Sequence, residues 1–399
     1  MKQTLLLTLL CCTCTVAFAQ PLVLNTQANK AFDSIVAAQI KEYAIVGLSI
    51  GIVQNGESTT KHYGATDASG KHPVTDATVF HLASISKLFA ATAIMQLIEE
   101  GKIRLTDKLA DLLPEFTMKD SRYTQITLKH LLTHTSGLMW DNKLKKSPDS
   151  PASLPLYMAN LRQKRLNFTP GERLSYETYS NVAFDLLGIV VEKVSGMPFE
   201  QYVQTRVLGK AKMPNCTYFF EKVAEANLAA PQFIVGKGSR IKKLNHSGAD
   251  SKKKPVFNGQ PLTCKTYPIY GEDYEHNPSG NLIASAKALN VWMLHHLAIY
   301  QGQNDAGVLS KESLSNMWQT QQAIPGKNTS IGLGWWIAED PVLGKSVFHV
   351  GSQPGFCTIL MIYPEKDFGM TILCNGTYAK EAVWRTLFSA ITNLCIGGQ

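Results

Sequence analysis

Beyond the first 20 residues, no stretch of this 399-residue chain approaches a membrane-spanning run. A helix that crosses a bilayer needs roughly 20 uninterrupted apolar residues, so no transmembrane segment is expected. The cysteines show no metal-cluster spacing, and a chain of this length needs no disulfide framework. No metal cluster is expected from the cysteines, and no cofactor is expected. No internal repeat recurs. Nothing points to nucleic acid beyond one basic segment: the formal net charge is +8, and Gly236–Pro255 carries seven Lys/Arg against one Asp. Such a block reads first as a solvated loop. Contact with an anionic surface such as a cell envelope is the sharper alternative.

The sequence does contain enough apolar residues, 45%, for a sizeable core in one large domain or two modest ones. Its first residues, "MKQTLLLTLLCCTCTVAFAQ", place a basic Lys2 before an apolar run and the small-x-small pattern Ala17-Phe18-Ala19. That is the pattern of a secretory signal over residues 1–19. The expected location is exported, either periplasmic or secreted. The mature chain keeps Cys216, Cys264, Cys357, Cys374 and Cys395, an odd count that leaves at least one thiol free.

Strand patterns lie at both ends of the chain. "VGLSIGIVQNGESTTKHYG" holds two alternating runs around Asn55-Gly56, the strongest short hairpin signal. "IGLGWWIAE", "SVFHVGS", "CTILMIYP" and "FGMTILCNG" read as strands near the other end. Helix patterns fill the middle: Ser84 to Glu100 closed by Gly101, "TLKHLLTHTSGL" with Thr127 as N-cap, "YSNVAFDLLGIVVEKVSG" and "NLIASAKALNVWMLHHLAIYQG". A last helix is expected from about Lys380 to Leu394. The reading is α/β (α+β): one antiparallel sheet built from both chain ends, with a mostly helical region inserted between them. The Ser84–Glu100 helix is apolar nearly all round and is expected to be buried and central.

Three stretches carry chemistry. In "LASISKLF", Ser84 and Lys87 are three apart and share a helical face, whereas Ser86 and Lys87 do not. A desolvated lysine loses proton affinity and can take a serine's proton. "YSN" supplies Tyr179 and Asn181. A tyrosine beside an ammonium can hold a lowered pKa and shuttle protons, and an asparagine can hold both the lysine and a substrate amide. "HVGSQPGF" supplies His349, Gly351 and Ser352. Glycine lets a ligand approach the backbone closely, and the Ser352 N–H can pair with that of Ser84 as an oxyanion hole. His130 and His134 are spaced i, i+4, but the Glu of H-E-x-x-H is absent, so a loop or cap role is expected for them. Trp335 and Trp336 are expected to divide between core and site rim.

The trio S-x-x-K, Y-x-N and H-x-G, in this order, resembles the serine β-lactamase and penicillin-binding-protein superfamily. The likeness is to its class C branch, with esterase and D-amino-acid peptidase relatives, over roughly residues 30–395. "GKIRLTDKLADLLPEF", "LKHLLTHTSGL", "NPSGNLIASAKAL" and "GLGWW" add to it. The resemblance implies one catalytic domain over residues 20–399, its sheet part from 20–80 and 281–399 and its helical part from 81–280. It implies an acyl-enzyme on Ser84, with Lys87 and Tyr179 sharing base and acid duties. Asn181 and His349 would line the substrate, and the N–H groups of Ser84 and Ser352 would hold the oxyanion. The partner is then a small-molecule or peptide substrate. Two departures stand out. His-Val-Gly replaces the usual Lys-Thr-Gly, and a histidine grips a carboxylate only when protonated. That weakens the β-lactamase and carboxypeptidase readings and favours esters or amides lacking that carboxylate. Also, Tyr179 lies three residues further from Pro170-Gly171 than expected, which makes Tyr176 a rival. Only Tyr179 has an Asn two positions on. Specificity is expected in residues 220–280 and around Trp140.

Overall fold

The computed structural model describes residues 26–142, 144, 150–235, 263–266, 274–303 and 307–397. The expected signal segment and the basic Gly236–Pro255 segment lie outside the described residues. Asn55 and Gly56 both take positive φ, 52° and 78°. This is the conformation a tight hairpin requires, and it joins β1 (Gly47–Gln54) to β2 (Glu57–Gly64). Six more strands come from the other chain end: β3 (Gln322–Ala323), β4 (Thr329–Ile331), β5 (Trp336–Asp340), β6 (Gly344–Gln353), β7 (Phe356–Tyr363) and β8 (Phe368–Cys374). They form one eight-stranded antiparallel sheet in the order β2-β1-β8-β7-β6-β5-β4-β3. The first hairpin is thus stitched to the last strand, as the strand patterns at the two ends predict.

Strand alternation divides the core between the two faces of the sheet. Ile359 and Ile372 pack with Phe32, Val36, Leu387 and Ile391 of the terminal helices. Leu360 and Leu373 point the other way, into the cluster that holds Leu289, Trp292 and Met293 of the Ala286–Tyr300 helix. The Ser86–Glu99 helix lies in that same cluster and is buried from Ser86 through Leu97. It packs against the Asn181–Ser195 helix. The N-terminal helix Thr26–Tyr43 has no counterpart in the sequence reading. Its buried or half-buried positions Phe32, Ile35, Val36, Ile40 and Tyr43 nevertheless recur at helical spacing.

Asn375, just past β8, closes this sheet onto the connector that follows β2. Its Oδ1 accepts the Gly47 N–H at 2.8 Å, and its Nδ2 donates to the Thr66 carbonyl at 2.9 Å. The side chain is fully buried. Replacing it leaves buried backbone groups unpaired. Asn375→Ala is therefore expected to cost about 1–3 kcal/mol, read as a lower denaturant midpoint. An unchanged midpoint would show that the connector does not depend on this side chain.

Candidate active site

Ser84 does not begin the long helix. It sits in a separate 3-10 turn, Ala83–Ile85, immediately before the helix that starts at Ser86. Ala83 has φ 50°, a conformation that costs a residue with a Cβ about 1–3 kcal/mol and persists only where its surroundings enforce it. Four contacts do so. The Ala83 N–H donates to His81 Nδ1 at 3.0 Å. Ser86 Oγ donates to the Ala83 carbonyl at 2.7 Å and accepts the Leu282 N–H at 3.0 Å. Thr358 Oγ1 on β7 donates to the Leu82 carbonyl at 2.9 Å. On β6, Gly351 lies so close that a Cβ there would stand 2.2 Å from both the Leu82 oxygen and Thr358 Oγ1. The two serines of "LASISKLF" thus divide their work. Ser84 faces Lys87, and Ser86 braces the turn.

Lys87 is fully buried. Its Nζ lies 3.3 Å from Ser84 Oγ, 2.8 Å from Asn181 Oδ1 and 2.5 Å from the Ser279 carbonyl oxygen. Two of these partners can only accept. A neutral amine has two N–H donors and one lone pair, so donation to Asn181 and Ser279 leaves the lone pair directed at the serine hydroxyl. Burial lowers the proton affinity of Lys87 to about 7, against a smaller upward pull from Asp185 and Asp141.

Tyr179 packs its ring 5.0 Å from Lys87 Nζ and is 9% exposed. Its rival Tyr176 is 57% exposed and reaches out to Thr329. The geometry therefore brings Tyr179, not Tyr176, to the lysine. The lowered phenol pKa expected from the sequence does not occur. Burial pushes it up, and the facing Ser84 hydroxyl lowers it only in part. In a desolvated pocket the phenolate is the costly form, and Lys87 at about 7 supplies little fixed charge to offset that.

His349 Nδ1 donates to the Val350 carbonyl at 2.8 Å, which makes Nε2 the lone-pair nitrogen. Among the described residues, Nε2 is buried with no hydrogen-bond partner. Burial, with Lys87 nearby, lowers the pKa of His349 to about 3. Its ring centroid lies 6.1 Å from that of Tyr179. The remaining wall is aromatic. His134 packs tilted against Tyr179 with ring centroids 4.2 Å apart, Trp140 stands 4.9 Å from it and is 46% exposed, and Trp336 lies behind. Trp335 belongs to the main core, so the pair divides as expected. His130 closes a capping box with Thr127, and His134 Nδ1 accepts the Ser180 N–H at 3.1 Å. Both histidines of the i, i+4 pair thus have structural bonds. Ser279 and His134 were not singled out as site residues, although both lie in stretches that carry the family likeness.

The close approach at Gly351 generates a direct test. Gly351→Ala is expected to displace β6 from the Leu82–Ala83 backbone and to lower activity far more than stability. The check is to measure turnover and melting temperature on the same preparation. Wild-type turnover in this variant would show that the β6 contact does not set the position of Ser84.

A model of the Beta-lactamase family matches residues 32–390. Protein flp of Staphylococcus aureus (strain MW2) is 25% identical over 364 residues, covering 88% of this chain. The chain spans 64% of the length of that relative. A protein of Escherichia coli (strain K12) named Beta-lactamase is 25% identical over 415 residues, covering 97% of this chain and 98% of that one. Among solved structures, the octameric penicillin-binding protein homologue from Pyrococcus abyssi superimposes with a TM-score of 0.73 at 23% identity, covering 92% of this chain and 77% of that one. A class C beta-lactamase gives 0.72 at 18% identity, covering 93% and 98%. These two likenesses concern the fold. Taken with the family match over most of its length, they agree with the order of the three motifs: the chain belongs to the Beta-lactamase family.

Proposed function

We propose that this protein is an exported serine hydrolase that cleaves ester or amide bonds, including D-amino-acid or cell-wall-peptide-like substrates, through an acyl-enzyme on Ser84. The observation that carries the reading is the Lys87 contact set, two acceptor-only partners and one hydroxyl. Ser84 Oγ attacks the substrate carbonyl carbon and its proton passes to Lys87 Nζ. The negative charge that develops on the carbonyl oxygen is held by the N–H groups of Ser84 and Ser352. The leaving group takes the phenol proton of Tyr179, which Lys87 replaces from its ammonium. Water then attacks the acyl carbon, its proton goes to Lys87 by way of Tyr179, and Ser84 departs with a proton. Tyr179 serves as a relay that stays protonated at rest, because burial raises its pKa. Asn181 holds Lys87 and the substrate. No step uses a metal.

His349 supports the ester or amide preference. With Nδ1–H engaged and Nε2 bare, it offers the substrate an acceptor instead of a cation. A substrate hydroxyl or amide N–H fits that nitrogen, and a carboxylate does not. Class C-like β-lactam hydrolysis is the second reading, favoured by the near full-length match to the Escherichia coli protein named Beta-lactamase. A slow-acylating sensor or scaffold is a third, from a different class.

Turnover of a chromogenic short-chain ester and of nitrocefin separates these readings. Wild type is expected to hydrolyse the ester in preference to nitrocefin. Ser84→Ala is expected to lose on the order of a thousandfold or more of the activity. Absence of ester, peptide and lactam turnover in wild type would leave only the sensor or scaffold reading. Undiminished turnover in Ser84→Ala would remove the assigned nucleophile.

A further inference from the structure

Among the described residues, Trp140, Leu156, Tyr176 and Val342 are the large apolar side chains left exposed. A lone exposed apolar residue needs no explanation. Trp140 and Tyr176, however, stand at the two ends of one row of rings that runs into the active site. Between ring centroids, Trp140 lies 4.9 Å from Tyr179, Tyr179 lies 6.5 Å from Trp336, and Trp336 lies 5.9 Å from Tyr176. The planes of the inner pair, Tyr179 and Trp336, are only 16° apart. Both inner rings are buried with Leu174, Ile324 and Ile331 in a small apolar cluster separate from the two main cores. The Tyr179 phenol faces the Ser84 hydroxyl, so the row reaches the bond to be cleaved. The outer rings are anchored at their backbones or tips. The Trp140 carbonyl accepts the Asn181 N–H at 2.8 Å. Tyr176 opens a 3-10 turn capped by Ser175, and its hydroxyl donates to Thr329 Oγ1 at 3.4 Å.

We propose that Trp140 and Tyr176 are specificity-determining residues: with Tyr179 and Trp336 they form an aromatic subsite that takes an aryl group of the ester or amide substrate. The inference deepens the proposed hydrolase reading and rests on it for its kinetic consequence. An aromatic side chain presents a large apolar face on few rotatable bonds, so little entropy is lost when a second ring packs against it. The inner rings have almost no exposed surface left to cover and act as a fixed floor. The outer rings still face water, so covering them with an aryl group removes apolar surface from solvent. His349 adds a neutral acceptor to the same wall, which suits an uncharged aryl ester or amide better than an ionic one. The aryl group can hang from the acyl side or from the alcohol or amine side of the scissile bond. The recognition chemistry is the same in both cases, and the test below tells them apart.

The test uses the whole protein and two readouts. The first is kcat/KM, followed by acid release, for ethyl acetate, 2-phenylethyl acetate and ethyl 3-phenylpropanoate. All three have unactivated alkyl leaving groups, so intrinsic reactivity does not separate them. At least one phenyl ester is expected to exceed ethyl acetate by about tenfold in wild type, mainly through KM. Preference for the acetate places the aryl group on the alcohol side, and preference for the propanoate places it on the acyl side. In Trp140→Ala the phenyl-to-ethyl ratio is expected to fall to within about twofold of one, and in Tyr176→Ala to fall about threefold. Trp140→Phe, which keeps a ring, is expected to keep most of the preference. Val342→Ala lies in the turn between β5 and β6, at the end of β6 away from His349, and is expected to keep the wild-type ratio. The second readout is binding of 2-phenylethanol and 3-phenylpropanamide, followed by ligand-observed NMR. It is expected to weaken about fivefold or more in Trp140→Ala. A wild-type ratio near one, or a preference that both alanine variants leave unchanged, would overturn the subsite. Binding that depends on Trp140 in a protein that turns over no ester would leave the subsite standing and remove the hydrolase reading.

Discussion

The arrangement depends on the burial of one lysine without an ion-pair partner in contact with it. Lys87 meets a hydroxyl, a side-chain amide and a backbone carbonyl, and among the described residues no carboxylate touches its Nζ. Burying an ammonium this way is unfavourable, and the group responds by giving up its proton more readily. The carboxylates that would reverse this, Asp185 and Asp141, are set back and engaged with His276. Their pull on Lys87 is smaller than the effect of burial, so the lysine titrates near 7 instead of in the usual lysine range. A base poised near neutral pH beside a serine hydroxyl is what acyl transfer requires.

The remaining constraints position the serine against that base. The Ala83 backbone is held in an unfavourable conformation by bonds from His81 and Ser86. The adjoining Leu82 carbonyl is held by Thr358, and β6 presses on the same backbone at Gly351. These groups come from the short Phe80–His81 strand before the turn, the central helix and two strands of the sheet. The sheet built from both chain ends therefore does more than cover the core. It sets the Ala83–Ile85 turn against the helical region that carries Lys87 and Asn181.

Much of this was legible in the sequence. Asn55-Gly56 marked the hairpin, alternation marked the strands that pair with it, and the all-apolar helix marked the centre. The three-residue spacing chose Ser84 over Ser86, and the Asn at 181 chose Tyr179 over Tyr176. Other features had no local signal. Nothing in "LASISKLF" announces that Ala83 turns left-handed, because distant residues enforce that conformation. The phenol of Tyr179 was expected to be acidified by a lysine ammonium. The same burial that lowers the lysine raises the tyrosine, and burial of both groups cannot be read from a Y-x-N motif. The His276 cluster draws on Asp141, Tyr157, Asp185 and His276, four positions far apart in the sequence that only the tertiary fold brings together.

The central claim is that a neutral Lys87 takes the proton of Ser84. Intact-mass detection of a fluorophosphonate adduct, mapped to its residue and followed in rate from acid to mildly alkaline pH, tests it most directly. The account predicts a single adduct on Ser84 whose rate of formation rises through about pH 7, as Lys87 loses its proton, and then levels. An adduct on another residue, or a Ser84 rate indifferent to pH across that range, would contradict it.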